Sequence, residues 1–580
     1  MNAAPPVETL VTNHLDLWTA ALKRKSTAGR GSSSKVELYG IRKLRELILE
    51  LAVRGLLVPQ DPNDEPASEL LKKIAAEKAK LVKAGKIKKE KPLAPISENE
   101  TPHNLPEGWA VERFGKLAII ERGGSPRPIQ SYFTDSPDGL NWIKIGDTDI
   151  GGKYITNTKE KIVREGLSKT RMVYPGDFLL TNSMSFGRPY ITKIEGCIHD
   201  GWLRISPAEQ IDKDFLYWLL SSPYIVKSFT ESAAGAVVQN LNSDKVREVS
   251  ILLPPNNEQQ RIVAKVDELM ALCDQLEQQT DASLAAHQTL VETLLSALTS
   301  TADHAQFASA WQRIAGHFDT LFTTEESIAQ LKQTILQLAV MGKLVPQDPN
   351  DEPASELLKK IAAEKARLVK EGKVKKGRPL PTIAVEEMQF ELPAGWALTR
   401  LGGVIDLISG QHLGPTEYFE SLRPGAIPYL TGPAEFGSKT PEPTRYTNER
   451  RAVSILGDIL LTVKGSGVGK TNIVSQPEIA ISRQLMALRS IAVDRNFLNI
   501  LLATLAEKFQ AQSVGIAIPG ISREDVLEAS LYLPALAEQH RIVAKVDALM
   551  ALCNQLKSRL SDAQTTQLHL ADALVEQAIC

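Results

Sequence analysis

Cysteine is scarce in this 580-residue chain: there are four, Cys197, Cys273, Cys553 and Cys580. No two stand in a C-x-x-C spacing and no histidine cluster accompanies them, which argues against a zinc site and against a disulfide framework. Excess charge is also lacking. The formal net charge is −2, so no global field announces a polyanionic partner, although local charge can still do so. Long apolar runs are missing, and nothing in the text is long enough to span a bilayer. The opening stretch "MNAAPPVETLVTNHLDLWTAALKRK" has no basic patch followed by an apolar core, so no signal peptide is expected and a reducing cytoplasm is the simplest setting.

A complete phosphate-binding loop is absent too. "GSGVGKT" at Gly465–Thr471 comes close, but the first glycine of G-x-x-x-x-G-K-[ST] belongs at position 464, which is Lys464. Such a loop must also leave a strand and open a helix. Here "NIVSQPEIAI" follows, with β-branched residues and a proline, and it reads as a second strand. The stretch is therefore expected to be a glycine-rich turn between two strands.

What the chain does have is a second copy of itself. "LVPQDPNDEPASELLKKIAAEKAKLVKAGKIKK" begins at Leu57 and returns almost unchanged at Leu344, 287 residues later. "LPEGWAVERFG" from Leu105 matches "LPAGWALTRLG" from Leu392 at the same offset, and "EQQRIVAKVDELMALCDQLE" from Glu258 matches "EQHRIVAKVDALMALCNQLK" from Glu538 at an offset of 280. Between these anchors only a skeleton survives. "GDFLLTNSMSFGRPYI" faces "GDILLTVKGSGVGKTNI", and "QNLNSDKVREVSILLP" faces "PGISREDVLEASLYLP". A near-identical frame thus surrounds two divergent inserts, as expected of one scaffold carrying two different readers.

The frame reads as helix. Val266, Leu269, Leu272 or Cys273, and Leu276 recur at three- and four-residue steps, followed by Leu290, Leu294 and Leu298. Pro254-Pro255 blocks an earlier start, and Asn256 or Asn257 can cap a helix running to Thr299, about 65 Å long. Its twin runs from about Leu536 to Ile579. Each needs a partner for its apolar stripe, so the two are expected to pair antiparallel about a pseudo-twofold axis. Cys273 and Cys553 are then packing residues. Shorter helices carry Ile41, Leu44, Ile48 and Leu51, and again Ile328, Leu331, Ile335 and Leu338. Residues 66–92 and 353–379 form two arms, each with nine Lys or Arg against three Glu. Such arms can neutralise phosphates or serve as solvated linkers. The inserts read as short strands plus the helices "DKDFLYWLLSSPYIVKSF" and "DRNFLNILLATLAEKFQAQ", each opened by an aspartate able to cap it.

Two divergent inserts on a repeated helical frame, with "LP-x-GW" and "GD-x-LLT…G[RK]" landmarks, resemble the specificity subunit of a type I restriction-modification system. The resemblance covers nearly the whole chain. It implies an α+β fold: two mixed α/β target recognition domains joined by a pair of long antiparallel helices in a coiled coil, with a pseudo-twofold internal repeat. The implied segments are 1–104 (short helix and basic arm), 105–255 (first recognition domain), 256–300 (central long helix), 301–391 (second short helix and arm), 392–535 (second recognition domain) and 536–580 (C-terminal long helix). It also implies double-stranded DNA with a bipartite target as ligand. Two methyltransferase subunits would dock on the duplicated frame, and restriction subunits would join them. No cofactor is expected on this chain; S-adenosylmethionine, ATP and Mg2+ would belong to the partner subunits. The sequence agrees with that division, since no N-P-P-[YF] or D-P-P-[YF] tetrapeptide, Walker pair or helicase box is present. The physical pattern alone leaves one alternative open, a duplicated coiled-coil adaptor whose inserts bind proteins.

Under this resemblance the Gly465 turn becomes a hairpin that approaches DNA closely because glycine permits it. Lys464, Ser466 and Lys470 would meet phosphate or a base edge, and Asn182, Ser183 and Arg188 would take the same places in the first insert. Further candidates are Arg127 in "RGGSPRP", Gln411 in the matching "SGQHLGP", and Lys144 after Trp142. Asn240 and Asn242, and opposite them Ser522 and Arg523, precede the last helix of each insert. For these the alternative is an ordinary solvated loop residue. Tyr132, Phe133, Tyr418 and Phe419 are expected in the core. Trp109 and Trp396, repeated in both halves, are expected to pack.

Overall fold

The computed structural model describes residues 7–24, 36–87, 91–102, 104–149, 151–182, 187–233, 241–301, 304–388, 390–437, 440–465, 467–512 and 520–579. It divides into two compact units, Met1–Ser283 with Ala563–Cys580, and Leu284–Asp562. Each unit holds one insert and one copy of the frame.

The long helices span Asn256–Ser300 and Leu536–Ile579. In the first unit Val266, Leu269 and Cys273 share a core with Ala571 and Ala578 from the end of the last helix, and with Leu44, Leu47 and Ile48 of helix Tyr39–Val53. In the second unit Val291, Leu295 and Leu298 share a core with Ile542, Val546 and Cys553, and with Ile328, Leu331, Ile335 and Leu338 of helix Glu325–Val340. Each unit thus joins the beginning of one long helix to the end of the other, the chain order of an antiparallel arrangement. The short helices fix the register by polar contacts. Arg45 reaches Asp274 (2.6 Å) and Glu277 (2.5 Å), and the Tyr39 hydroxyl donates to Asp572 (2.8 Å). In the second unit Lys332 donates to Asn554 (2.6 Å) and Lys343 to the Thr299 carbonyl (2.9 Å). Cys273 and Cys553 are buried, and burial pushes the Cys273 thiol up to about 11.

Two details of the frame differ from expectation. Leu290 is exposed, and Val291, Leu295 and Leu298 take the buried side. The polar stretch 277–283 carries no apolar marker, so the seam beyond it could not be extrapolated from the one before. Neither Asn256 nor Asn257 caps the helix. The Gln259 N–H donates to the Pro255 carbonyl (2.9 Å), while the Asn256 and Asn257 amides reach sideways to the Gln210 carbonyl (3.4 Å) and to Asp64 (3.1 Å).

A buried polar node at the start of each long helix ties the frame together. Trp109 Nε1 (3.0 Å) and Gln60 Nε2 (3.2 Å) both donate to Glu258, and Trp396 (3.0 Å) and Gln347 (3.1 Å) donate to Glu538 in the same way. Burial pushes both carboxyls up from the usual range, with the donated hydrogen bonds opposing it. The neighbouring Gln259 and Gln539 accept the N–H of Asp212 and Asp494, each at 2.9 Å. Those two aspartates cap the insert helices, accepting from Phe215 and Phe497. One Glu-Gln pair therefore fixes the loop leading into the arm, the tryptophan corner and the insert at once. This is why the pair stands in the repeated text.

The arms contain helices Ala67–Lys83 and Ala354–Lys370, which bury Ala67, Leu70 and Ile74, and Ala354, Leu357 and Ile361. Lys78 and Lys365 turn inward to the carbonyls of Gly115 and Ala118, and of Gly402 and Ile405. Part of each lysine-rich arm is thus a structural clasp on the insert.

Each insert is closed by a two-stranded antiparallel sheet where it leaves and rejoins the frame, Ala110–Arg113 with Ser250–Leu253 and Ala397–Arg400 with Ser530–Leu533. Inside, the first insert has a five-stranded sheet and a four-stranded one; the second has two four-stranded sheets. The fifth strand, Tyr154–Ile155, pairs parallel with Pro189–Thr192 and has no counterpart among the described residues of the second insert. The helix expected over "DKDFLYWLLSSPYIVKSF" is two helices, Lys213–Ser221 and Pro223–Ala233, broken at Ser222. Pro223 disfavours the helical conformation of the residue before it. The second insert has no proline there, and Arg495–Gln512 is continuous.

Candidate nucleic-acid interface

The glycine-rich stretch is a hairpin. Ile459–Thr462 pairs antiparallel with Thr471–Ile473, and a strand, not a helix, follows the turn. The turn closes by two bonds, Thr462 N–H to the Lys470 carbonyl (2.8 Å) and Gly469 N–H to the Thr462 carbonyl (3.0 Å). Gly465 and Gly469 have φ near +90°, a region glycine enters without steric cost. The first insert repeats the closure, with Thr181 N–H to the Arg188 carbonyl (3.0 Å) and Gly187 N–H to the Thr181 carbonyl (2.9 Å). Arg188 and Lys470 are therefore structural equivalents, and both side chains are exposed.

Three more segments are laced to each hairpin by the same backbone bonds. In the first unit Asn182 N–H donates to the Gly201 carbonyl (2.9 Å), Gly123 N–H to that of Trp202 (2.9 Å), Gly124 N–H to that of Ile198 (3.2 Å), and Leu241 N–H to that of Asn182 (3.0 Å). In the second unit Val463 donates to Gln484 (2.8 Å), Gly410 to Leu485 (3.0 Å), Gln411 to Ile481 (3.0 Å), and Ile521 to Val463 (2.9 Å). Four loops thus form one continuous edge in each unit: 123–128, 199–201, the hairpin and 241–242, then 410–414, 482–484, the hairpin and 521–523. The close approach is demanding. A Cβ on Gly123 would stand 2.2 Å from the His199 carbonyl oxygen, and one on Gly410 would stand 1.9 Å from that of Ser482.

On this edge the side chains divide into those that face solvent and those the fold consumes. Lys464, Lys470, Arg188 and Gln411 are exposed, and Lys464 bridges to Gly520 through its backbone. Arg127 is exposed and lies 3.6 Å from Asp200. Lys144 pairs with Glu160 at 2.8 Å. Asn182 is buried and its amide donates to the Asp200 carbonyl (2.8 Å). It is the equivalent of Val463, a core position, and its amide N–H is spent on that carbonyl. Asn242 and Ser522 are N-caps, accepting from the N–H of Lys245 (2.8 Å) and Asp525 (3.1 Å). Arg523 is half-buried and donates to the Leu407 carbonyl (2.7 Å). Ser183, Asn240 and Ser466 lie outside the described residues.

The lacing pairs Gln411 with Gly124, as the two matching loops align them. Phe133, expected in the core, is exposed. It lines a cleft of about 710 Å³ with Ser125, Arg127, Trp142, Lys144 and His199. In that cleft the Ser125 hydroxyl, donating at 2.7 Å, holds the Asp200 carboxyl below its usual range, and burial pushes His199 down. Tyr132 and Tyr418 pack against small cores as expected.

The turn at His199–Gly201 and its equivalent at Ser482–Gln484 were not singled out from the sequence. They stand 283 residues apart, an offset between the two the repeat displays. A scan for intermediate offsets, anchored on the strands that follow, would have found them.

A family model for the type I restriction modification DNA specificity domain matches residues 106–286 and 393–563. The chain is 42% identical to the type I restriction enzyme EcoAI specificity subunit of Escherichia coli, over 99% of this chain and 100% of that one. It is 41% identical to the EcoEI specificity subunit of the same organism, again over 99% and 100%. A crystal structure of the HsdS subunit from Thermoanaerobacter tengcongensis aligns over 83% of this chain and 99% of that chain, at 22% identity and a TM-score of 0.42.

Proposed function

The chain belongs to the type I restriction-modification DNA specificity family, and from that premise we propose how it divides the work of recognition. It is the non-catalytic DNA-specificity subunit of a type I restriction-modification complex. Each insert reads one half of a bipartite duplex target, and the long helices set the spacing between the halves. The observation that carries this reading is the laced edge: the same backbone bonds recur in both units while the exposed side chains differ. A shared catalytic centre would repeat its side chains. Two readers of different sequence repeat only the scaffold.

The duplicated frame offers two equivalent surfaces, which suits two copies of a methyltransferase subunit. Restriction subunits complete the complex, and S-adenosylmethionine, ATP and Mg2+ belong to those partners. Among the described residues no helix is long and apolar enough to cross a membrane, and the work on cellular DNA places the complex in the cytoplasm.

The salt dependence of duplex binding tests the reading. For the complex of this chain with its methyltransferase partner, log affinity is expected to fall steeply and linearly with log salt. Arg188→Ala and Lys470→Ala are each expected to reduce the slope by about one if their cations meet phosphate. Binding insensitive to salt, with a folded complex, would favour the protein-adaptor alternative.

A further inference from the structure

Nine arginines lie in the second insert, at positions 400, 423, 445, 450, 451, 483, 489, 495 and 523. Most are consumed by the fold. Arg400, Arg450, Arg451 and Arg489 are held by carboxylates, Arg423 and Arg445 lie over aromatic rings, and Arg523 donates to a backbone carbonyl. Arg483 and Arg495 remain, both exposed and without a side-chain partner among the described residues. Arg495 lies against Gly457, at the far end of the strand that leads into the hairpin. Arg483 lies on the laced edge. Two residues before it, the Ile481 carbonyl accepts from Gln411. One residue after it, the Gln484 carbonyl accepts from Val463, the neighbour of Lys464.

The lacing also identifies its counterpart. The turns correspond bond for bond, so Arg483 occupies the place that Asp200 holds in the first unit. That contrast decides between two roles. A phosphate clamp is needed by any reader of any sequence, and a carboxylate at the same place would repel phosphate. A position that is cationic in one reader and anionic in the other varies with what is read. We propose that Arg483 is a base-reading residue, donating to the O6 and N7 acceptors of a guanine in the second half-site. Arginine forms that bidentate pair, and no other base offers both acceptors in the major groove. The backbone bonds on either side hold the turn rigid, so the guanidinium is presented from a fixed point.

The inference rests on the proposed function, and one experiment separates the two. Initial rates of adenine methylation are measured for the full methyltransferase complex on duplexes carrying every single-base substitution in the target. Wild type is expected to discriminate by about 10- to 100-fold at one G·C pair of the second half-site. Arg483→Ala is expected to slow methylation of the native site by a similar factor. It should lose discrimination at that one pair, and keep full discrimination across the first half-site. Arg483→Gln, which keeps the bulk, should lose the same preference for guanine. A uniform slowing with every preference intact would make Arg483 a phosphate contact, and an unchanged rate a bystander; either overturns the inference. Wild type showing no second half-site at all would instead overturn the proposed function.

Discussion

A methyl group at Gly410 is expected to disable the second reader while leaving the first intact. Gly410 donates to the Leu485 carbonyl and passes so close to Ser482 that a Cβ would meet its carbonyl oxygen at 1.9 Å. Backbone cannot swing aside as a long side chain can, so the strand end and the turn must separate. Overpacking of this kind costs about 3 kcal/mol. The turn that moves carries Arg483 and Gln484 and is tied to the hairpin through Val463. Recognition should therefore fail across the whole second half-site rather than at one base. Gly123→Ala, which meets His199 in the same manner, should do the same to the first half-site. Gly377→Ala is the control, since nothing lies within 4 Å of a Cβ there. Duplex binding with each half-site scrambled in turn reads the outcome. Native affinity in Gly410→Ala would show that the close approach is not what holds the edge.

The largest loss of stability in the second unit is expected from Asp458→Ala. Asp458 is buried, and its carboxylate takes both arms of Arg489 at 3.0 and 2.8 Å, as well as the Ser454 hydroxyl (3.1 Å) and the Ile455 N–H (2.9 Å). That pairing raises Arg489 above its usual range. Removal strands a guanidinium and two neutral donors. A broken buried pair costs about 3–5 kcal/mol. Arg489 is one-third exposed and can regain some water, so the low end applies. Hydrogen exchange should quicken in strands Ile459–Thr462 and Leu485–Ser490, with the first unit's sheets unchanged. Protection equal to wild type would mean that the cluster is replaceable.

The frame was legible because it is written twice and its physics is local. Apolar steps of three and four residues located the helices, and the aspartates before the insert helices cap them. Trp109 and Trp396 pack as their repetition implied. What was not legible is what depends on partners across space. A seam interrupted by polar residues cannot be continued without its neighbour, which is why Leu290 was misplaced. Asparagine can cap a helix or reach elsewhere, and only the position of Asp64 and Gln210 decides. Asn182 looks like a reader in the text because polarity reads as exposure, yet the lacing turns it inward to a carbonyl. Strand register is set by backbone bonds, which side-chain letters do not record. Arg483 was invisible until those bonds aligned it with Asp200.

The central claim is that two separate readers on one frame specify one split target. Adenine methylation mapped across the genome of cells expressing the chain with its methyltransferase partner tests it most directly. The account predicts a motif of two specified segments separated by a fixed number of unspecified base pairs, with one adenine methylated on each strand. A single contiguous motif, or no sequence preference from an assembled complex, would contradict it.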